Sequence, residues 1–218
     1  MPAPHPSTTP PAPAGGVVAH DRPSGSNPRV RLAGVDVLAD DWYVLRKVTF
    51  DWLGRDGRWQ RQSREAYDRG NGATVLLHDP AAGTVLLTRQ FRLPAFVNGH
   101  PDGMLLETPA GLLDADDAET AIRREAEEET GVRVRSVTRL LELSMSPGSV
   151  TERVAFFAAA SSSADRVAAG GGVAGEEDIE LVELPLAEAL DAVRDGRIVD
   201  GKTVVLLQWA CLHGLPAD

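Results

Sequence analysis

Residues 111–132 read GLLDADDAETAIRREAEEETGV, and most of what this chain can be follows from them. Asp116 can cap a helix start, with Glu119 three residues on as in a capping box, and Gly131 supplies the stop. The stretch is therefore expected to be helical over residues 117–130. At about 100° per residue, Ile122 and Ala126 share the arc that faces a core. Glu125, Glu128 and Glu129, spaced i, i+3 and i+4, crowd the adjoining arc. Arg124 stands beside Glu128 and can hold it, while Glu127 projects beside Arg123 into solvent. Like charges so placed repel by roughly a few tenths of a kcal/mol per pair in water, and by more beside a core unless cations lie between them. Two readings remain open on these residues alone. One is a solvated acidic face, the commoner fate of an arbitrary glutamate triplet. The other is a carboxylate cluster for a hard cation such as Mg²⁺, which prefers oxygen ligands.

Working outward, the segment from Gly70 alternates short apolar runs with polar links. Strands are expected at residues 73–78 and 84–88, joined by the turn Asp79-Pro80-Ala81-Ala82-Gly83, and again at 150–159 and 179–184. A Gly-rich loop spans 170–175, and helices at 186–195 and 203–213 close the chain. Strands mixed with helices predict an α+β fold, an α/β/α sandwich on a mixed β-sheet, over residues 69–218. Residues 29–68 read as an N-terminal antiparallel strand region. Val44, Val48, Phe50 and Trp52 share one face and Lys47, Thr49 and Asp51 the other. Gly54-Arg55-Asp56-Gly57 makes a hairpin turn into a returning strand at 59–67. Two or three such strands are too few for a core of their own, so this region is expected to mediate dimerisation. Residues 1–28, rich in Pro, Ala, Ser, Thr and Gly, are expected to form a disordered tail.

The formal net charge of −10 argues against a nucleic-acid backbone or an anionic membrane as the main partner. An acidic protein that handles an anionic substrate must neutralise it locally, and bound cations do so. The single cysteine, Cys211, precludes an intrachain disulfide and suits the cytoplasm. The sequence has neither an apolar run of about 20 residues, the length of a membrane span, nor the layout of a signal peptide.

The segment from Gly111 through Asp116 and Asp117 to Arg124-Glu125-Ala126-Glu127-Glu128-Glu129-Thr130-Gly131-Val132 resembles the Nudix box. That pattern is a glycine, an acidic residue after a gap, then Arg-Glu-apolar-x-Glu-Glu-x-Gly-apolar. The second half matches at every specified position. In the first half the spacing from Gly111 to Arg124 is one residue shorter, and Asp116 or Asp117 stands where Glu is usual. Further segments resemble the ADP-ribose and GDP-mannose pyrophosphatase branch: Thr88-Arg89-Gln90-Phe91-Arg92, Glu107-Thr108-Pro109-Ala110-Gly111, Ser146-Pro147-Gly148-Ser149-Val150-Thr151-Glu152, Glu176-Glu177-Asp178-Ile179-Glu180 and Asp200-Gly201-Lys202-Thr203. Val97-Asn98-Gly99-His100 and Gly170-Gly171-Gly172-Val173 lean toward GDP-mannose.

The resemblance implies hydrolysis of the pyrophosphate bond of a nucleoside diphosphate sugar with Mg²⁺, or Mn²⁺, as cofactor. It implies that Glu125, Glu129 and the carbonyl of Ala110 bind metal and that Glu177 joins from the loop. Glu128, with Arg124 steadying it, and Glu176 or Glu177 as general base form the expected catalytic set. The glycines at 170–172 are expected to leave that loop free to close over substrate. Arg89 and Arg92 suit the diphosphate, because guanidinium pairs well with phosphate oxygens. Glu152 is a candidate substrate contact. Arg64 and Arg69 are candidates to reach the substrate of a second subunit in a homodimer. Two rival readings stand beside this one: a Nudix-fold sensor that binds a nucleotide sugar without cleaving it, and a hydrolase of another nucleotide such as a dinucleotide. Gly196-Arg197-Ile198-Val199-Asp200-Gly201-Lys202-Thr203 satisfies the P-loop expression, but a helix and not a strand is expected before it.

Overall fold

A computed structural model describes residues 27–113, 116–172 and 178–216. The chain divides into two compact units, Met1–Arg69 and Gly70–Asp218.

The first unit contains a three-stranded antiparallel sheet in the order β1 (Val30–Asp40), β2 (Val44–Leu53), β3 (Trp59–Asp68). The hairpin between β2 and β3 closes as expected, with the Gly57 N–H donating to the Gly54 carbonyl at 3.1 Å and the Gly54 N–H to Arg58 at 2.9 Å. Cross-strand charge pairs, such as Arg61 on Asp51 at 2.9 Å, lace its polar face. Leu32, Val35, Val37, Leu38, Trp42 and Trp59 are exposed.

The second unit is built on a mixed sheet ordered β10-β5-β4-β9-β8. These strands are β4 (Gly72–Asp79), β5 (Thr84–Phe91), β8 (Thr138–Ser144), β9 (Arg153–Ala160) and β10 (Glu180–Pro185). Two short strands branch from it: β6 (Met104–Glu107) pairs with β5, and β7 (Ala110–Leu112) with β4. Among the described residues only β4 and β9 run parallel. The helices are α1 (Leu93–Val97), α2 (Ala118–Thr130), α3 (Leu186–Arg194) and α4 (Gly201–His213).

Alternation along β4 explains the layering. Ala73, Val75 and Leu77 face α2, where they pack on Ile122 and Ala126. Leu76 faces the other way with Val85, Leu87 and Phe156, toward Ala189 and Ala192 of α3 and Leu206, Leu207 and Ala210 of α4. The result is the expected α/β/α sandwich on a mixed sheet. Among the described residues no helix is long and apolar enough to cross a membrane.

Helix α2 starts one residue later than expected. Its cap is Asp117, whose side chain accepts from the N–H groups of Glu119 at 3.0 Å and Thr120 at 3.1 Å. Asp116 is thereby released for another contact. At the far end Gly131 takes the left-handed conformation, φ 71°, and donates to the Glu127 carbonyl at 2.8 Å.

Candidate active site

Three parts of the second unit meet at the C-terminal end of β5: the β6–β7 corner, the last two turns of α2, and the start of α4. The corner is fixed by a threonine relay. The Thr108 N–H donates to Thr203 Oγ1 at 2.7 Å, and the Thr203 hydroxyl donates to Asp200 Oδ2 at 2.6 Å. Thr74 Oγ1 donates to the Pro109 carbonyl at 3.0 Å and lies 2.8 Å from Thr108 Oγ1. All three threonines are buried, so each bond is worth more than it would be in water.

This corner presents Ala110 and Gly111 to α2. The Glu125 carboxyl lies so close to the Gly111 Cα that a β-carbon there would collide with it. A side chain here could be admitted only by displacing the Glu125 carboxylate, which occupies that space. Glu129, one turn on, is buried with 3% exposure, whereas Glu128 is exposed. The acidic arc is therefore graded, and only its Glu125 and Glu129 edge turns inward toward the corner. Arg124 corrects one expectation: it pairs with Asp116 at 2.5 Å and Glu125 at 3.4 Å, not with Glu128. It steadies the carboxylate lying on Gly111. Glu127 projects toward solvent as expected, but with a partner of its own. Arg133 holds it with two hydrogen bonds, at 2.8 and 3.0 Å, and these keep its carboxyl below the ordinary range.

Arg89 of β5 and Arg92, the residue that follows the strand, part company. Val85 and Leu87 pack toward α3 and α4, and Arg89 continues that face, pairing with Glu180 at 3.1 Å and Asp102 at 3.3 Å. Arg92 turns to the α2 side, where its guanidinium senses the charges of Glu107, Glu129 and Asp200. It forks onto Glu107 through Nε at 2.9 Å and Nη2 at 2.7 Å. Lys202 donates to the same carboxylate at 2.7 Å and to Asp200 at 3.0 Å. Burial pushes the Glu107 carboxyl up, but the Arg92 hydrogen bonds and the Lys202 charge outweigh it and hold the group below its usual value.

Glu152 hangs at the same edge. A β-carbon on Gly72 would stand 3.6 Å from Glu152 Oε1 and 3.1 Å from the Gly111 carbonyl oxygen. Arg64 and Arg69 belong to the first unit. Arg64 bonds to the Ser63 carbonyl at 2.8 Å and to Gln62 at 3.1 Å, and Arg69 lies 5.6 Å over the Tyr43 ring.

The glycine loop departs from its expected role. Gly171 and Gly172 donate their N–H groups to the carbonyls of Glu129 at 2.8 Å and Glu128 at 3.2 Å. Gly131 and Gly170 allow backbone to approach backbone, since a β-carbon on Gly170 would lie 2.8 Å from the Glu129 carbonyl oxygen. These glycines cap the end of α2, and their hydrogen bonds tie down the loop root. Glu176 and Glu177 lie outside the described residues.

A hard divalent cation fits the donor set. The Glu125 carboxylate lies on Gly111, beside the Ala110 carbonyl, and the buried Glu129 follows one turn further along α2. Among the described residues no three acidic, histidine or cysteine side chains converge as a metal-binding group. The expected set draws its remaining ligands from the Ala110 carbonyl and from Glu177. Lys202 does not serve a P-loop, because the helix α3 precedes its segment and Asp200 caps α4 with a 3.0 Å bond from the Thr203 N–H. Glu107, Asp200 and Lys202 were not assigned site roles in the sequence reading. A glutamate ending the apolar run Met104-Leu105-Leu106 was the available signal, because such a carboxylate requires a cation.

A fold of this kind carrying glutamates of one helix against a glycine corner is that of a Nudix hydrolase. The NUDIX domain family matches residues 68–205, and the chain belongs to that family, whose members generally use divalent metal ions. The family described as the GDP-mannose pyrophosphatase NudK N-terminal domain matches residues 29–67. The chain is 56% identical over 180 residues to a GDP-mannose pyrophosphatase of Yersinia enterocolitica, covering 83% of this chain and 94% of the relative. It is 54% identical to that of Pectobacterium atrosepticum, covering 82% and 92%. Among solved structures, an ADP compounds hydrolase shares the fold with a TM-score of 0.65 at 21% identity, covering 88% of this chain and 99% of that one.

Proposed function

We propose that this protein hydrolyses the pyrophosphate bond of a nucleoside diphosphate sugar, GDP-mannose foremost, to a nucleoside monophosphate and a sugar phosphate. The observation that carries the reading is the meeting of Glu125 on Gly111, the buried Glu129 and Arg92 at one strand end. The names of relatives more than half identical to the chain support the substrate class.

Glu125, Glu129, Glu177 and the Ala110 carbonyl would hold Mg²⁺, with Mn²⁺ as a substitute. Such an ion, when bound, neutralises the diphosphate and favours attack by water at phosphorus. Arg124 keeps Glu125 in place, and Glu128 stands on the solvent side of the same helix. Arg92 donates to the phosphate oxygens from the α2 side. Arg89, tied to Asp102 and Glu180 on the opposite face of the strand, has the smaller share. Glu152 contacts substrate from the Gly72 edge. Glu176 or Glu177 accepts the proton of the attacking water. Oxygen from that water joins one phosphorus, the bridging P–O bond breaks, and the departing phosphate carries the bridging oxygen away. The first unit, with its exposed apolar strands, pairs with a second copy, bringing Arg64 and Arg69 to the partner's substrate. The protein works in the cytoplasm.

Incubation with a panel of nucleoside diphosphate compounds and Mg²⁺ in ¹⁸O-water tests the reading. Label should enter a phosphate oxygen of one product and never the sugar C1 hydroxyl. Label at the sugar carbon would indicate a glycosidase. Tight binding without turnover across the panel would indicate a sensor.

A further inference from the structure

The carboxylate of Glu107 has no part in the chemistry above, yet it is only 2% exposed. A charged group at the end of an apolar strand stays charged only with cations at contact distance. Two provide it: Arg92 through a two-point fork, and Lys202 at 2.7 Å. They come from opposite directions in the chain, one from the end of β5 and the other from the first turn of α4.

The fork engages two of the five N–H donors of Arg92. Three are left on a side chain that is 39% exposed, within reach of the Glu129 charge. A guanidinium on a flexible stem loses rotamer freedom when it binds an anion, and one already fixed loses less. Lys202 prevents the Glu107 carboxylate from turning with Arg92. Its own place is set by Asp200, while the Thr108 N–H, next to Glu107, is bound by Thr203 of the same helix.

We infer that Glu107 is a positioning residue which, anchored by Lys202, holds Arg92 with its outer donors facing the substrate diphosphate. Helix α4 is thereby part of the site. The inference rests on the pyrophosphohydrolase reading above.

The test is a double-mutant cycle read by two assays, calorimetric binding of GDP with Mg²⁺ and steady-state hydrolysis of GDP-mannose. Arg92→Ala and Glu107→Gln should each weaken GDP binding and raise KM by about tenfold, with a smaller change in kcat. The double variant should bind GDP within about twofold of Arg92→Ala alone, because Glu107 acts through Arg92. Losses that multiply in the double variant would overturn the inference. If Glu107→Gln is unfolded by circular dichroism, Lys202→Met replaces it in the same cycle, and Lys202→Arg should restore binding to within about threefold of wild type. Wild-type protein that binds GDP but cleaves no nucleotide sugar would overturn the catalytic reading, leaving the GDP cycle to decide the positioning role. Hydrolysis accompanied by a multiplicative cycle would overturn the positioning role alone. No GDP binding at all would overturn both.

Discussion

Replacing Gly111 with alanine should separate catalysis from stability. The added β-carbon would stand 2.6 Å from Glu125 Oε1 and nearer still to its Cδ and Cγ, against at least 3.4 Å for ordinary contact, so the side chain must withdraw by about 1 Å. The obstacle is a side chain that is 20% exposed, and not backbone, so it can yield. Moving Glu125 off its rotamer costs about 0.5–1.5 kcal/mol. The lost freedom of the unfolded chain returns about 0.4–1 kcal/mol, because Gly111 is not among the positive-φ glycines. The two nearly cancel, and Tm should stay within about 3 °C. Catalysis has no such compensation. A displacement approaching 1 Å at a functional group costs on the order of 10²-fold, or ~2.7 kcal/mol of barrier. The assay pairs a thermal melt by circular dichroism with initial rates of nucleoside monophosphate release over a Mg²⁺ titration. Near-normal turnover in a folded variant would refute the placement of Glu125 in the metal site. Turnover lost only in step with unfolding would refute the separation.

Four further outcomes follow from other features of the structure. Gly131→Ala meets both a left-handed φ of 71° and the Ala168 backbone, so it should lower stability by more than about 2 kcal/mol. Gly196→Ala has the strain, at φ 83°, but open space, and denaturant melts should find it clearly the milder change. Because the folded-state carboxyl of Glu107 is held below its ordinary 4.5, its stabilisation is present above that value and is lost as pH falls through the folded one. The stability gap between wild type and Glu107→Gln, measured by urea melts, should therefore narrow below about pH 4.5; a constant gap would contradict the ion-pair origin of the shift. Light scattering should give a dimer mass at working concentration, and a stable monomer would refute the role given to the exposed strands of the first unit.

Much of this was legible in the chain because its causes are local. Helix α2 announced itself by caps and a 3.6-residue period, and Ile122 and Ala126 lie where that period puts them, at 0% exposure. The strands at 72–79, 84–91, 153–160 and 180–185 and both closing helices were legible from patterns equally local. The four-residue β6, three-residue β7 and five-residue α1 were not, being too short to display a period, and the seven-residue β8 was missed because Leu140 and Leu141 break its alternation. The unequal burial of Glu128 and Glu129 is set by what packs on them from elsewhere, which no helical wheel contains. Arg89 and Arg92 looked like a pair three residues apart. A strand's period of two sends them to opposite faces, an inference the sequence allowed. Glu107 and Lys202, 95 residues apart, could be joined only by the fold.

The capped end of α2 has a consequence for how this family of sites can change. Gly171 is bonded to the Glu129 carbonyl at 2.8 Å, and its own carbonyl receives the Ile179 N–H at 3.3 Å, so both roots of the intervening segment are tied to one point. Changes of length between Gly171 and Ile179 are therefore insulated from α2, whose Glu125 and Glu129 are fixed by the helix itself, and variation there offers a route to altered substrate choice that leaves that helix untouched.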